Sequence, residues 1–182
     1  MKFTITLAAG VAALAVGAVS AHAGCADPRA IQAGAVHTLP AFIVGNLAAK
    51  AAASASAHPG GDAAQNIVGT WLVSYQVRGM PAGQALIQWH SDGTEFENIN
   101  FPVLGGNMCL GSWKAVDATH VSRFHMGWLY DNGNLSGYFN QTETVRAAYS
   151  HYVGVSDFKV FDLNGNVLTE FTERSDAVRL EP

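Results

Sequence analysis

The chain has 182 residues and a formal charge of −4, and only 13% of its residues are charged. No cluster of Lys and Arg exists to neutralise a phosphate backbone, so the composition argues against a nucleic-acid partner. It also predicts no metal-binding cysteine array, because there are only two cysteines, Cys25 and Cys109.

Residues 1–23 have the layout of a secretory signal peptide. Lys2 is followed by an apolar run from about Ile5 to Val19, and Ala21-His22-Ala23 places small residues at the two positions a signal peptidase reads. The run is shorter than a membrane span needs, and no second one follows, so no membrane span is expected. The expected location is periplasmic or secreted. Cys25 lies just past the cut, but His22 stands where a lipid-anchor site wants an aliphatic residue. In an oxidising compartment two readings of the cysteines stand open: a Cys25–Cys109 bridge, or a small buried thiol at Cys109.

Residues 24–65 are rich in Ala, Gly and Ser, with one short apolar stretch at Leu39–Leu47 and a helix-prone run at Ala48–Ala57 that His58-Pro59-Gly60-Gly61-Asp62 stops. This is read as an arm or linker. Residues 66–182 form the barrel domain. Eight β-prone runs follow in order: Ile67–Val77, Gln84–His90, Thr94–Ile99, Met108–Val116, His120–Tyr130, Leu135–Tyr149, Tyr152–Leu163 and Val167–Leu180. Ser91-Asp92-Gly93, Asp131-Asn132-Gly133-Asn134 and Asn164-Gly165-Asn166 are tight-turn sequences that tolerate positive φ. Consecutive strands with tight turns are antiparallel, and eight of them close without exposed edges. The predicted fold is all-β, an eight-stranded antiparallel barrel, with a two-sheet sandwich as the alternative.

Val68-Gly69-Thr70-Trp71 opens the first strand, and Gly-x-Trp there resembles the calycin group, which contains the lipocalins. The resemblance implies that Trp71 plugs the closed end of the barrel and that Arg179, near the end of the last strand, packs over its ring. Gln88-Trp89-His90-Ser91-Asp92-Gly93-Thr94-Glu95, followed by Cys109-Leu110-Gly111-Ser112-Trp113, is similar to segments of exported bacterial proteins of unassigned function. Those have a lipocalin-like or allene oxide cyclase-like barrel. The similarity implies a fold and no activity.

A barrel of this size holds one small ligand or is filled by its own side chains. Trp71, Tyr75, Trp113, Trp128 and Tyr138 are the candidate lining of a site for an apolar or aromatic molecule. His90, Glu95 and His125 are candidates for an acid–base set, with Glu95 orienting a histidine. Alternation leaves their direction open. Burying Phe124, Met126 and Trp128 turns His125 outward, which simple burial favours. Lining a polar cavity turns it inward and leaves aromatic residues outside, where a partner surface or a homo-oligomer would cover them. The sequence holds no Gly-x-Ser-x-Gly elbow, dinucleotide fingerprint or phosphate loop, and no His-x-His pair, so no cofactor and no metal are expected. Three functions follow: a small-molecule-binding barrel, a cofactor-independent lyase, isomerase or cyclase using His and Glu, or a solid-cored interaction barrel.

Overall fold

The computed structural model describes His22–Ala23 and residues 62–100 and 107–180. The barrel strands are β1 (Gly69–Val77), β2 (Met80–Trp89), β3 (Thr94–Ile99), β4 (Met108–Ala115), β5 (His120–Asp131), β6 (Asn134–Ala147), β7 (His151–Asp162) and β8 (Val167–Leu180). Each pairs antiparallel with the next, and β1 pairs with β8, so the sheet closes into an eight-stranded antiparallel barrel. His22–Ala23 adds a two-residue strand against Tyr130 and Asp131 at the end of β5. Of the proposed leader and arm, only His22–Ala23 and residues 62–65 lie among the described residues. Among the described residues no helix is long and apolar enough to cross a membrane.

The turns follow their residues. Asn132-Gly133 takes φ of 50° and 79° between β5 and β6, and Arg78-Gly79 takes 52° and 76° between β1 and β2. Both are left-handed pairs that match the twist of a two-residue hairpin. At the β2–β3 turn, Asp92 accepts from the Thr94 amide at 2.9 Å and Gly93 takes φ of 87°. The first run begins two residues later than its sequence suggests. Asp62 accepts from the Gln65 amide at 3.0 Å and caps a five-residue helix, α1 (Ala63–Ile67).

That helix closes one end of the barrel. Ile67 and Trp71 are fully buried, and Trp71 Nε1 donates to the Ile67 carbonyl at 2.8 Å. Arg179 stands directly opposite Trp71 in the β1–β8 register, with its Cζ 4.4 Å from the indole centroid. Its guanidinium donates to the carbonyls of Val68 (2.7 Å), Asn66 and Tyr149. One side chain therefore ties the helix exit, the first strand and the β6–β7 turn to the last strand. The three register shifts, at Tyr75/Gln76, Leu129/Tyr130 and Val160/Phe161, all sit toward the opposite end. Between those bulges and the closed end, side-chain parity runs unbroken along every strand.

Candidate functional site

Parity places a polar network in the middle of the barrel. On β3 the buried positions are Glu95, Glu97 and Ile99, and on β5 they include Val121, Arg123 and His125. β6 contributes Gln141 and Glu143, β7 Ser156, and β8 Glu173 and Ser175. Tyr75 of β1 and Tyr152 of β7 complete the inner set. Aromatic layers bound it. Trp71, Trp89 and Tyr152 pack edge to face toward the closed end, and Phe139, Phe158 and Phe171 stack toward the opposite end.

Arg123 is the hub. Nη1 donates to Glu97 Oε2 at 3.2 Å, and Nη2 donates to Gln141 Oε1 at 3.1 Å and to Tyr75 Oη at 3.3 Å. Glu143 Oε2 lies 2.7 Å from Nη2 as an ion pair. Tyr75 Oη donates to Glu97 Oε2 at 2.7 Å. Gln141 Nε2 donates to Ser156 Oγ and Glu173 Oε2, each at 2.8 Å, and Ser175 Oγ donates to Glu143 Oε1. His125 Nδ1 and Glu95 Oε1 are 2.9 Å apart.

Small residues make this possible. A methyl group on Gly111, between Glu95 and His125 in the sheet register, would fall 2.4 Å from Glu95 Oε1. One on Gly154 would fall 2.2 Å from Glu143 Oε1. An eight-stranded interior has room for an Arg and four Glu side chains only where the facing strands carry none.

The electrostatics follow from burial. Desolvation alone would pull the proton off Arg123, but Glu143, Tyr75, Glu95 and Glu97 outweigh it and hold the guanidinium charged. Burial raises the Glu95 carboxyl against the pull of Arg123. It raises Glu97 against His125 and Arg123, and Glu173 further, helped by the charges of Glu97 and Glu143. Burial, and then Arg123, push His125 down to about 4, although Glu97, Glu143 and a hydrogen bond with Gln141 favour its charged form. At neutral pH His125 is therefore an uncharged imidazole next to carboxyl groups that hold protons unusually well.

The structure brings together some of the residues singled out in the sequence and not others. Glu95 and His125 meet. His90 does not join them, because Trp89 is the register partner of Glu95 and the adjacent residue turns to the other face. His90 instead packs edge-on against Phe96 on the outside, 5.8 Å between centroids. Trp71 and Tyr75 point inward. Trp113 is half-buried near the closed end, with Nε1 donating to the His90 carbonyl at 2.9 Å and its ring edge-on to Trp89. Trp128 is 53% exposed on the outer face. Tyr138 stacks on Phe161 at 4.8 Å and packs edge-on to Trp128, also outside. Cys109 is buried and disulfide-bonded; Cys25, the only other cysteine, lies outside the described residues.

Glu97, Arg123, Gln141, Glu143, Tyr152 and Glu173 join the site without standing out in the sequence. A signal was present. Glu95-x-Glu97, Arg123-x-His125, Gln141-x-Glu143 and Glu173-x-Ser175 are polar pairs at the strand period, each in mid-strand. Comparison with protein-family models, curated proteins and solved structures finds no match to this chain.

Proposed function

We propose that this chain is an exported small-molecule-binding barrel whose ligand has an apolar or aromatic body and a polar head that the Arg123 network reads. One observation carries the reading: Glu95, Glu97, Arg123, His125, Gln141, Glu143 and Glu173 are all buried in one cluster of hydrogen bonds and ion pairs inside a closed barrel. A core needed only for stability is served as well or better by apolar residues, since desolvating such charges offsets most of their attraction. The aromatic layers on either side offer flat apolar surface to the rest of a ligand. The layout of residues 1–23 supports export to the periplasm or beyond.

The Glu95–His125 pair supports a second reading, acid–base catalysis on the bound molecule without a cofactor. The Glu95 contact at His125 Nδ1 is the arrangement that orients a general base, with Nε2 as the basic nitrogen when the single ring proton sits on Nδ1.

A screen of aromatic alcohols, amides and acids, read by tryptophan fluorescence and thermal shift on the mature chain, tests the binding reading. The expected result is saturable binding that Arg123→Lys weakens. Silence across the set overturns it and leaves a barrel filled by its own side chains. Proton exchange into a bound compound, lost in His125→Gln with binding retained, would establish the catalytic reading.

A further inference from the structure

Three buried donors and one buried acceptor on the closed-end side of the network make no hydrogen bond among the described residues. They are Trp89 Nε1, Arg123 Nε, Tyr152 Oη and Glu95 Oε2. Their residues pack on one another. Trp89 and Tyr152 are edge to face at 6.0 Å, and Arg123 Cζ lies 5.5 Å from the Trp89 centroid. Glu95 Oε2 is 3.8 Å from Arg123 Nη1, and Glu95 is the register partner of Trp89. None of the four side chains is more than 1% exposed. Leaving a single buried donor without a partner costs about 1–3 kcal/mol, so four such atoms on neighbouring residues mark a place built to bond something else.

We propose that Trp89, Arg123, Tyr152 and Glu95 form a subsite for a neutral carbonyl compound of the amide class. The donors take its oxygen, and Glu95 Oε2 takes its N–H. This rests on the binding reading above and names the polar head of that ligand. Charge selects the neutral form. Glu95, Glu97 and Glu143 already surround Arg123, and Glu173 is bonded to the same Gln141, so a further anion meets more negative charge than positive. A cation, though drawn by that charge, has no lone pair to offer the Trp89 and Arg123 N–H groups and would leave both unpaired. An amide is both donor and acceptor, as the four atoms require.

The indole N–H resonances of the full chain test this. Trp71 and Trp113 donate to the carbonyls of Ile67 and His90, so their signals serve as internal references, and Trp89→Phe assigns the Trp89 signal. Titration with formamide should move the Trp89 N–H saturably and leave the two references in place. Formate, of the same size but charged, should not move it. Tyr152→Phe removes a hydroxyl that bonds to no protein atom, so it should leave the melting temperature unchanged or raised. It should still weaken formamide about fivefold, the equivalent of one neutral hydrogen bond. If Trp89→Phe fails to fold, assignment in the Tyr152→Phe background keeps the titration readable. An unmoved Trp89 signal, or a formate response equal to that of formamide, overturns the subsite. A compound from the fluorescence screen that binds without touching the Trp89 signal overturns the subsite alone and leaves the binding barrel standing. Silence in both experiments removes both.

Discussion

The inside of this barrel and the outside of its β2–β5 wall reverse the usual distribution of polarity. Inside lie four glutamates, an arginine and a histidine. On the outer face of β2–β5, Leu86, Phe96, Met108, Leu110, Phe124, Met126 and Trp128 are between 38% and 56% exposed. Leu110 stands opposite Met126 in the register, and Phe96 opposite Leu110, so this is a continuous band. The outer faces of β7 and β8 are conventional, carrying Asp157, Lys159, Glu170, Arg174 and Asp176, with Lys159 and Glu170 paired at 3.4 Å. Those charges do not fit an apolar belt running all round, as a membrane barrel would carry. The difference teaches that parity, once fixed by the closed end and the turns, carries whole strands with it. In β5, seating Arg123 under Tyr75 and His125 against Glu95 obliges Phe124 and Met126 to face out.

If the interior charges depend on each other, removing the hub should have the largest effect. Arg123→Met leaves Glu97 and Glu143 buried without their cation, and at pH 7 the expected loss is about 3–5 kcal/mol in chemical denaturation. The loss should shrink in mild acid, where Glu97 takes up a proton and no longer needs the guanidinium. Adding Glu97→Gln and Glu143→Gln to Arg123→Met should recover part of it at pH 7. Equal losses at both pH values, with no recovery, would mean that Arg123 contributes volume rather than charge.

His125 separates two opposing pH effects. Its folded value of about 4 lies below the ordinary 6.5, so the unfolded chain takes up the proton first as pH falls. Stability is therefore lost between 6.5 and 4, by at most about 3 kcal/mol for a shift of this size. Glu95, Glu97 and Glu173 are raised, so the folded chain holds their protons more tightly. Their contribution has the opposite sign, growing on acidification and lost as pH rises through their folded values. His125→Gln should thus give a protein whose stability rises steadily from pH 7 toward 4.5, while the wild type gains less or falls. Identical pH profiles for the two would place His125 outside the buried network.

Gly111→Ala tests the same pair sterically. Its methyl group would meet Glu95 Oε1, His125 Cβ and the Phe124 carbonyl, all within 2.5 Å. The expected cost is about 1–3 kcal/mol, with the Glu95–His125 contact pushed apart. A His125 pKa that returns toward its ordinary range in this variant would confirm that the packing, and not only the sequence neighbours, holds the imidazole neutral.

The fold was legible because its signals were local. Asn132-Gly133 and Asp92-Gly93 determine hairpins by backbone conformation alone, and Gly69-x-Trp71 with Arg179 needs only that the first and last strands meet. α1 was not legible, since five residues with an Asp cap carry too little periodicity to separate from the strand that follows. The Glu95–His125 pair was legible as residue types, and its direction was not. Each strand offers two alternating sets, and ranking them by hydrophobicity favours Phe124, Met126 and Trp128 for the core. The inner set wins because Arg123 engages Glu97, Gln141 and Glu143 while Glu95 engages His125, a property of residues on three strands that no single run displays. His90 was displaced by the same rule, one residue from Trp89 and therefore on the opposite face.

If the outer band contributes nothing to the fold of the barrel, Leu110→Ser should change unfolding free energy by no more than about 0.5 kcal/mol. Leu110 already exposes 56% of its surface, so little apolar area returns to water on truncation. Its β4 neighbour Cys109, inward and fully buried, is the internal control on the same strand. Chemical denaturation of Leu110→Ser and Met126→Ser, alone and together, gives the measurement. Small and additive changes keep the band as a surface free of folding duties. A loss above about 2 kcal/mol at either position would show that the outer face is packed in solution, and the contrast between the two sides of β5 would then be one between two buried surfaces.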